Sequence, residues 1–239
     1  MSDHTLPDHR PTSDKDAALV QRMFDRVAPR YDRANAVLSM GLDRHWREVT
    51  VTAVDPAPGT TIVDVAGGTG ALATLFADRG ARVVVADLSH EMVRVGAQRT
   101  PGAIDWVVAD ALRLPLPGES VDVATIAFGL RNLNDTRGGL AELRRVVRPG
   151  GQLAVLEFSQ PTNPAFAHVY RRYLLGVVPR LAHVITSDPA AYTYLARSII
   201  AWPDARALGT MIRESGWRAV RWKNLTGGIV ALHHAIRDD

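Results

Sequence analysis

Between residues 60 and 160 the chain alternates short apolar runs with amphipathic ones. The runs at 61–65 (TIVDV), 82–87 (RVVVAD), 104–110 (IDWVVAD), 121–128 (VDVATIAF) and 152–158 (QLAVLEF) are rich in Val, Ile, Leu and Ala, and most end in an acid or polar residue. Near-continuous apolar runs of this length predict strands covered on both faces, as in a parallel sheet. Helices fit between them over about 70–79, 89–98 and 136–147, the last stopped by Pro149-Gly150-Gly151. This β-α-β-α order predicts an α/β, doubly wound sheet whose ligands bind at the carboxyl ends of the strands.

Outside that stretch the pattern is helical. Leu19, Val20, Met23, Phe24 and Val27 recur at helical spacing after Ser13-x-x-Asp16, which resembles a capping box, and Pro29 ends the run. A second helix is expected over about 43–54, stopped by DPAPG. After residue 160, Phe166, Val169, Tyr173, Val177 and Leu181 fall on about one helical face, and helices follow near 189–199 and 203–215. WRAVRWKNL and IVALHHAI, separated by Thr226-Gly227-Gly228, read as a hairpin. With the five earlier runs this makes seven strands. The expected organisation is a disordered tail (1–14) and a single domain (15–239). That domain comprises N-terminal helices (15–55), a ligand-binding core (60–160), a helical cap (161–215) and a C-terminal hairpin (216–239).

Composition narrows the chemistry. The 239 residues include no cysteine, so disulfides, thiolate metal sites and cysteine nucleophiles are excluded. The histidines are dispersed, and His233 and His234 would point to opposite faces of a strand, so no metal is expected. A net charge of +3, with arginines scattered along the chain, lacks the basic stripe of a nucleic-acid binder. The polar N-terminus has no apolar signal-peptide core, and no apolar run approaches the roughly 18 residues of a membrane span. A cytoplasmic protein is expected, with peripheral membrane contact left open.

The candidate chemistry begins at Asp64–Ala73 (DVAGGTGALA). Gly68-x-Gly70-x-x-Ala73 fits the dinucleotide fingerprint, and Asp87 follows near the ribose-partner position. A nicotinamide-dependent oxidoreductase is therefore one reading. Asp64 argues for another, because an acid four residues before Gly68 would repel a pyrophosphate but could accept a hydrogen bond from an ammonium. A ligand with a cationic amino-acid end and an adenosine end, S-adenosyl-L-methionine, suits it better. Asp87 would then take the ribose hydroxyls, and Asp110 with Ala111 would meet the adenine amino group. Helix capping is the plain alternative for each acid alone.

The chain resembles the class I S-adenosylmethionine-dependent methyltransferases, with their Rossmann-like fold. Within these it is similar to the ubiquinone/menaquinone biosynthesis C-methyltransferases. The likeness rests on MFDRVAPRYD (23–32), NAVLSMGLDRHWR (35–47), DVAGGTG (64–70), FGLRN (128–132), LRRVVRPGG (143–151), LEFS (156–159), YTYLARSI (192–199) and NLTGGIVALH (224–233). It implies transfer of a methyl group to a ring carbon of a reduced polyprenyl quinone, demethylmenaquinol ahead of a ubiquinone precursor. Carried over by position, it implies cofactor contacts at Gly68, Thr69, Gly70, Asp87, Asp110 and Ala111. Ala127 stands where many relatives have serine, which removes a hydroxyl from that edge.

In that reading Arg131 stabilises the phenolate of the acceptor and Asn132 orients a ring oxygen. The plain alternatives are a surface ion pair of Arg131 with Asp135 and a turn role for Asn132. The 163–181 segment, with Arg171, Arg172 and Arg180 beside its apolar stripe, has two readings as well. It packs over the active site or forms a dimer face, which is favoured, or it rests on an anionic membrane. Tyr192 and Tyr194 fit either a buried core or a pocket wall.

Overall fold

The computed structural model describes residues 17–185 and 189–239. The expected tail and the Ser13–Asp16 capping box lie outside them. The core is one seven-stranded sheet in the order β3-β2-β1-β4-β5-β7-β6. Its strands are β1 (Thr61–Val65), β2 (Arg82–Asp87), β3 (Asp105–Val108), β4 (Val121–Ala127), β5 (Val147–Phe158), β6 (Arg218–Leu225) and β7 (Val230–Ile236). The first five pair in parallel. β7 lies antiparallel between β5 and β6, joined to β6 by the Thr226–Gly228 turn as the hairpin pattern implies.

The helices are α1 (Ala17–Val27), α2 (Tyr31–Leu38), α3 (Leu42–Val54), α4 (Ala71–Ala77), α5 (His90–Arg99), α6 (Thr136–Val146), α7 (Pro164–Arg172), α8 (Val178–Ile185), α9 (Pro189–Ala201) and α10 (Ala205–Glu214). They cover both sheet faces, which is why the central strands can be apolar throughout. Val63, Val65, Ile126 and Val155 face one cluster with α6 and α10. Ile62, Val83, Val85, Ala154 and Leu156 face another with α3 and α4.

Three departures from the sequence pattern have local causes. α1 stops at Val27, just before Pro29 as the sequence implies, but the chain does not leave the helical layer, because Pro29 sits at the start of a 3-10 turn (Ala28–Arg30) that tolerates its missing N–H. The chain then continues into α2. β5 begins five residues early, at Val147, and its pairing with β4 jumps from Val121↔Val147 to Val123↔Gln152, so Pro149-Gly150-Gly151 forms a bulge inside the strand. The long 163–181 helix is interrupted by a π-helical turn, Tyr173–Val177. That insertion turns Leu174 and Val178 inward and leaves Val169, Val177 and Leu181 exposed.

One close contact fixes the edge of the sheet beside the glycine loop. The Trp106 indole on β3 is wedged between Gly70, at φ +80, and Gly96 of α5. A Cβ at these positions would stand 2.6 Å and 2.0 Å from Trp106 Cη2. Gly96→Ala should therefore cost about 1–3 kcal/mol through overpacking, despite the roughly 1 kcal/mol that alanine gains in a helix. A lower urea midpoint with an unchanged slope is the expected readout. A midpoint equal to the parent would show that the indole moves aside without strain.

Candidate active site

The carboxyl ends of β1, β2 and β4 open onto a cavity of about 430 Å³, within the usual range for small-molecule sites. Its floor is the glycine loop after β1, and its walls come from α1, α2, α7, the π-turn, α9 and the loop after β4. Two walls carry backbone strain. Ala66 after β1 and Phe128 after β4 are non-glycine residues at φ +50 and +57, a conformation that costs of the order of 1–3 kcal/mol each and gathers at functional sites. All five tyrosines of the chain, at 31, 170, 173, 192 and 194, line this one space, with Phe24, Phe128, Phe158 and Phe166.

The acids expected at the strand tips are here. Asp64 is buried in mid-sheet. Its Oδ1 accepts the Thr125 hydroxyl at 2.6 Å, and its Oδ2 has no hydrogen-bond partner. Loss of water pushes its carboxyl up to about 7, against the lowering effects of the Thr125 hydroxyl and the Arg47 charge. Asp87 accepts the Gly68 N–H and the Ser89 N–H, each at 2.8 Å. Withdrawal from bulk water pushes it up to about 6 although both N–H groups favour the anion. Neither acid caps a helix through its own side chain. Ser89 caps α5, accepting from Met92 N–H at 3.1 Å.

Asp110 sits at the exposed rim, where its Oδ1 closes a turn by accepting the Leu112 N–H at 2.9 Å. Ala111 is half-buried beside it, and both border the cavity. Gly68 and Gly70 take left-handed conformations that turn the chain from β1 into α4. The Thr69 hydroxyl is directed to Asp32 of α2, donating at 2.7 Å. Asp32 also pairs with Arg99 of α5. Asp25 of α1 accepts the Ser89 hydroxyl at 2.5 Å. The first two of the three helices before the sheet, α1 and α2, are thus tied to the tip of β2 and the glycine loop by their own carboxylates. The sequence offered their motif but no partner for either acid.

Across the cavity, Arg131 occupies a 3-10 turn (Leu130–Asn132) and is 4% exposed. The alternative surface pair with Asp135 does not form: Asp135 caps α6, accepting the Gly138 N–H at 2.8 Å. Arg131 instead meets Glu157, the penultimate residue of β5, at 3.0 Å. Its guanidinium also donates to Phe128 O and lies 5.1 Å from the Phe158 ring centroid. Asn132 makes the turn bond from its N–H to Gly129 O and accepts from the Tyr194 hydroxyl at 3.4 Å. Ala127, at the end of β4, borders the same space. Glu157 went unread in the sequence, although a lone acid inside the apolar run QLAVLEF was the available signal.

An unfilled carboxylate oxygen, a second desolvated acid and an aromatic wall suit a ligand that brings a cation and a ring. Asp64 Oδ2 is the orphaned acceptor an ammonium would satisfy. Each Asp87 oxygen keeps acceptor capacity beyond its one backbone N–H. The residues present therefore fit an amino-acid-bearing adenosyl ligand.

Comparison with known proteins agrees with this geometry. A demethylmenaquinone methyltransferase of Mycobacterium sp. (strain KMS) is 50% identical over 228 residues, covering 95% of this chain and 98% of that protein. One from Corynebacterium kroppenstedtii is 46% identical over the same shares. Among solved structures, a SAM-dependent methyltransferase from Aquifex aeolicus has the same fold at a TM-score of 0.59 and 18% identity, covering 80% of this chain and 88% of that one. Another from Thermotoga maritima reaches 0.64 at 16% identity, with 91% and 99% covered. The description of the ubiE/COQ5 methyltransferase family fits residues 12–237, nearly the whole chain, and the protein belongs to that family.

Proposed function

We propose that the protein C-methylates a reduced polyprenyl naphthoquinone, demethylmenaquinol, using S-adenosylmethionine. The observation that carries this is the buried Asp64 with its unsatisfied oxygen, facing the same cavity as Arg131 and the ring of tyrosines. The named relatives, at 46–50% identity over nearly full length, support the acceptor class.

When bound, S-adenosylmethionine supplies a methyl group on an electrophilic sulfonium. Asp64 accepts from its ammonium, Asp87 from its ribose hydroxyls, and Asp110 with Ala111 meets the adenine edge. Gly68, Thr69 and Gly70 let the backbone approach closely. Arg131 presents a fixed positive charge where the acceptor ring's hydroxyl must lose its proton, a group whose ordinary pKa is near 10. A cation at that place favours the anion and so raises electron density on the ring carbon. The Asn132 amide orients a ring oxygen. The tyrosine and phenylalanine walls exclude water and hold the ring against the donor side, which lowers the barrier by orientation.

The prenyl tail needs an exit, and the helical cap offers an apolar one. Leu175, Val177 and Leu181 are 37–51% exposed on the outside of the π-turn and α8, and Val169, 61% exposed, stands at the edge of the cavity. Leu174, Val178 and Tyr170 of the same segment line the cavity. No Asp or Glu occurs between Glu157 and Asp188, whereas Arg171, Arg172 and Arg180 do. We read this face as resting on an anionic lipid surface. No helix among the described residues is long and apolar enough to cross a membrane.

Three outcomes are expected. Arg131→Ala should lower turnover by about 10²–10³-fold, the usual loss for one charge-stabilising donor, while calorimetry finds S-adenosylmethionine affinity nearly intact. Product mass analysis with each reduced acceptor should show methylated demethylmenaquinol. Tight NAD binding without S-adenosylmethionine binding would overturn the whole reading.

The raised carboxyls set a pH dependence. Asp64, at about 7 in the folded protein against 3.8 ordinarily, holds its proton more tightly folded than unfolded. Ligand-free stability should therefore fall as pH rises from about 4 to about 7 and level off above, because the native state binds more protons in that window. Asp87, at about 6, adds to the same slope. S-adenosylmethionine affinity should rise over pH 5–7, then fall as its own ammonium deprotonates near 7.7–8.0. Asp64→Asn should flatten the rising limb, and an unchanged limb would remove Asp64 from the ammonium site.

Vesicle sedimentation should show binding to anionic but not zwitterionic lipid, weakened by salt and by reversing Arg171 and Arg172 to Glu. Absence of salt-sensitive binding, or a dimer in solution covering this face, would end the membrane reading.

A further inference from the structure

Glu157 is fully buried and does not border the cavity, whereas Arg131, in front of it, does. Its Oε1 accepts from Arg131 Nη1 at 3.0 Å and from Phe158 N–H at 2.8 Å, and its Oε2 accepts from the Arg131 backbone N–H at 3.2 Å. One carboxylate thus holds both ends of the same residue, and Phe128 O takes a further guanidinium hydrogen. The turn being held is strained at Phe128. A buried ion pair is a poor source of stability, since apolar replacements of equal volume often do as well. Its value here lies in direction: the carboxylate is behind the guanidinium, so the pair presents its positive end to the cavity.

We propose that Glu157 is a positioning residue for methyl transfer, acting through Arg131. It fixes the guanidinium at the wall where negative charge develops on the acceptor. This rests on the reading of Arg131 given above. A shift of about 1 Å in such a group can cost 10²-fold in rate. The glutamine analogue cannot replace the carboxylate, because an amide offers one acceptor oxygen where Glu157 uses two, and its NH2 would face a donor.

The test is steady-state kinetics of the full chain with Glu157→Gln, Arg131→Met and the double variant, with kcat measured against pH. Glu157→Gln should lower kcat by about 10²-fold while acceptor KM and S-adenosylmethionine Kd stay within about threefold. Its kcat profile should move to the alkaline side, because the guanidinium no longer sits where the phenolate forms. A purely structural loss would reduce the folded fraction without moving the profile. In the Arg131→Met background, Glu157→Gln should cost nothing further. If Glu157→Gln does not fold, Glu157→Asp, charged but one methylene shorter, should show the same alkaline shift. Full kcat in Glu157→Gln with an inactive Arg131→Met would overturn the positioning role alone, as would an unmoved profile or additive losses. Full kcat in Arg131→Met would instead overturn the reading of the site.

Discussion

The withdrawal of carboxylates from water at the strand tips is the constraint around which this molecule is arranged. Asp64 lies inside the sheet with one oxygen satisfied by Thr125 and the other by no hydrogen bond among the described residues. A buried acceptor left in that condition is costly, and the chain bears the cost in the ligand-free state by raising the carboxyl toward neutrality. A cation entering the cavity removes the penalty and ionises the acid together. Affinity and selectivity for a positively charged ligand thus have one origin, and a pyrophosphate meets the opposite field.

The same logic, reversed in sign, holds the far wall. Arg131 is a buried cation whose compensation comes from Glu157 behind it, with the Phe158 ring against its guanidinium. Between the two walls lies a space of about 430 Å³ bounded by nine tyrosine and phenylalanine rings. The two walls stand on different strands: the carboxylates on β1 and β2, and the Arg131–Glu157 pair at the ends of β4 and β5.

Much of this was legible in the chain because it is local. Strand tips ending in acid, a glycine loop that must turn left-handed, and a hairpin around Thr226-Gly227-Gly228 are each written in a few consecutive residues. What escaped is non-local. Pro29 marks the end of α1 but gives no sign that its own 3-10 turn leads straight into a second helix. The face of 163–181 that packs inward depends on one extra residue in the π-turn, which no 3.6-residue periodicity reveals. Arg131 and Glu157 are 26 positions apart, joined only because β4 and β5 are parallel neighbours. For the same reason Asp25 and Asp32 had a motif but no partners until α1 and α2 were placed over the sheet.

Those two helical acids bear on how firmly the cavity is enclosed. Thr69 of the glycine loop and Ser89 at the tip of β2 both give their hydroxyl hydrogens to segments that precede the sheet in sequence. Those bonds tie α1 and α2 to the glycine loop and the tip of β2 along one side of the cavity. The Asp32–Arg99 bridge in this closure is about half exposed, with side-chain accessibilities of 38% and 47%. Mobile ions reach it readily, so ionic strength weakens the tie between α2 and α5 at the very acid, Asp32, that borders the cavity.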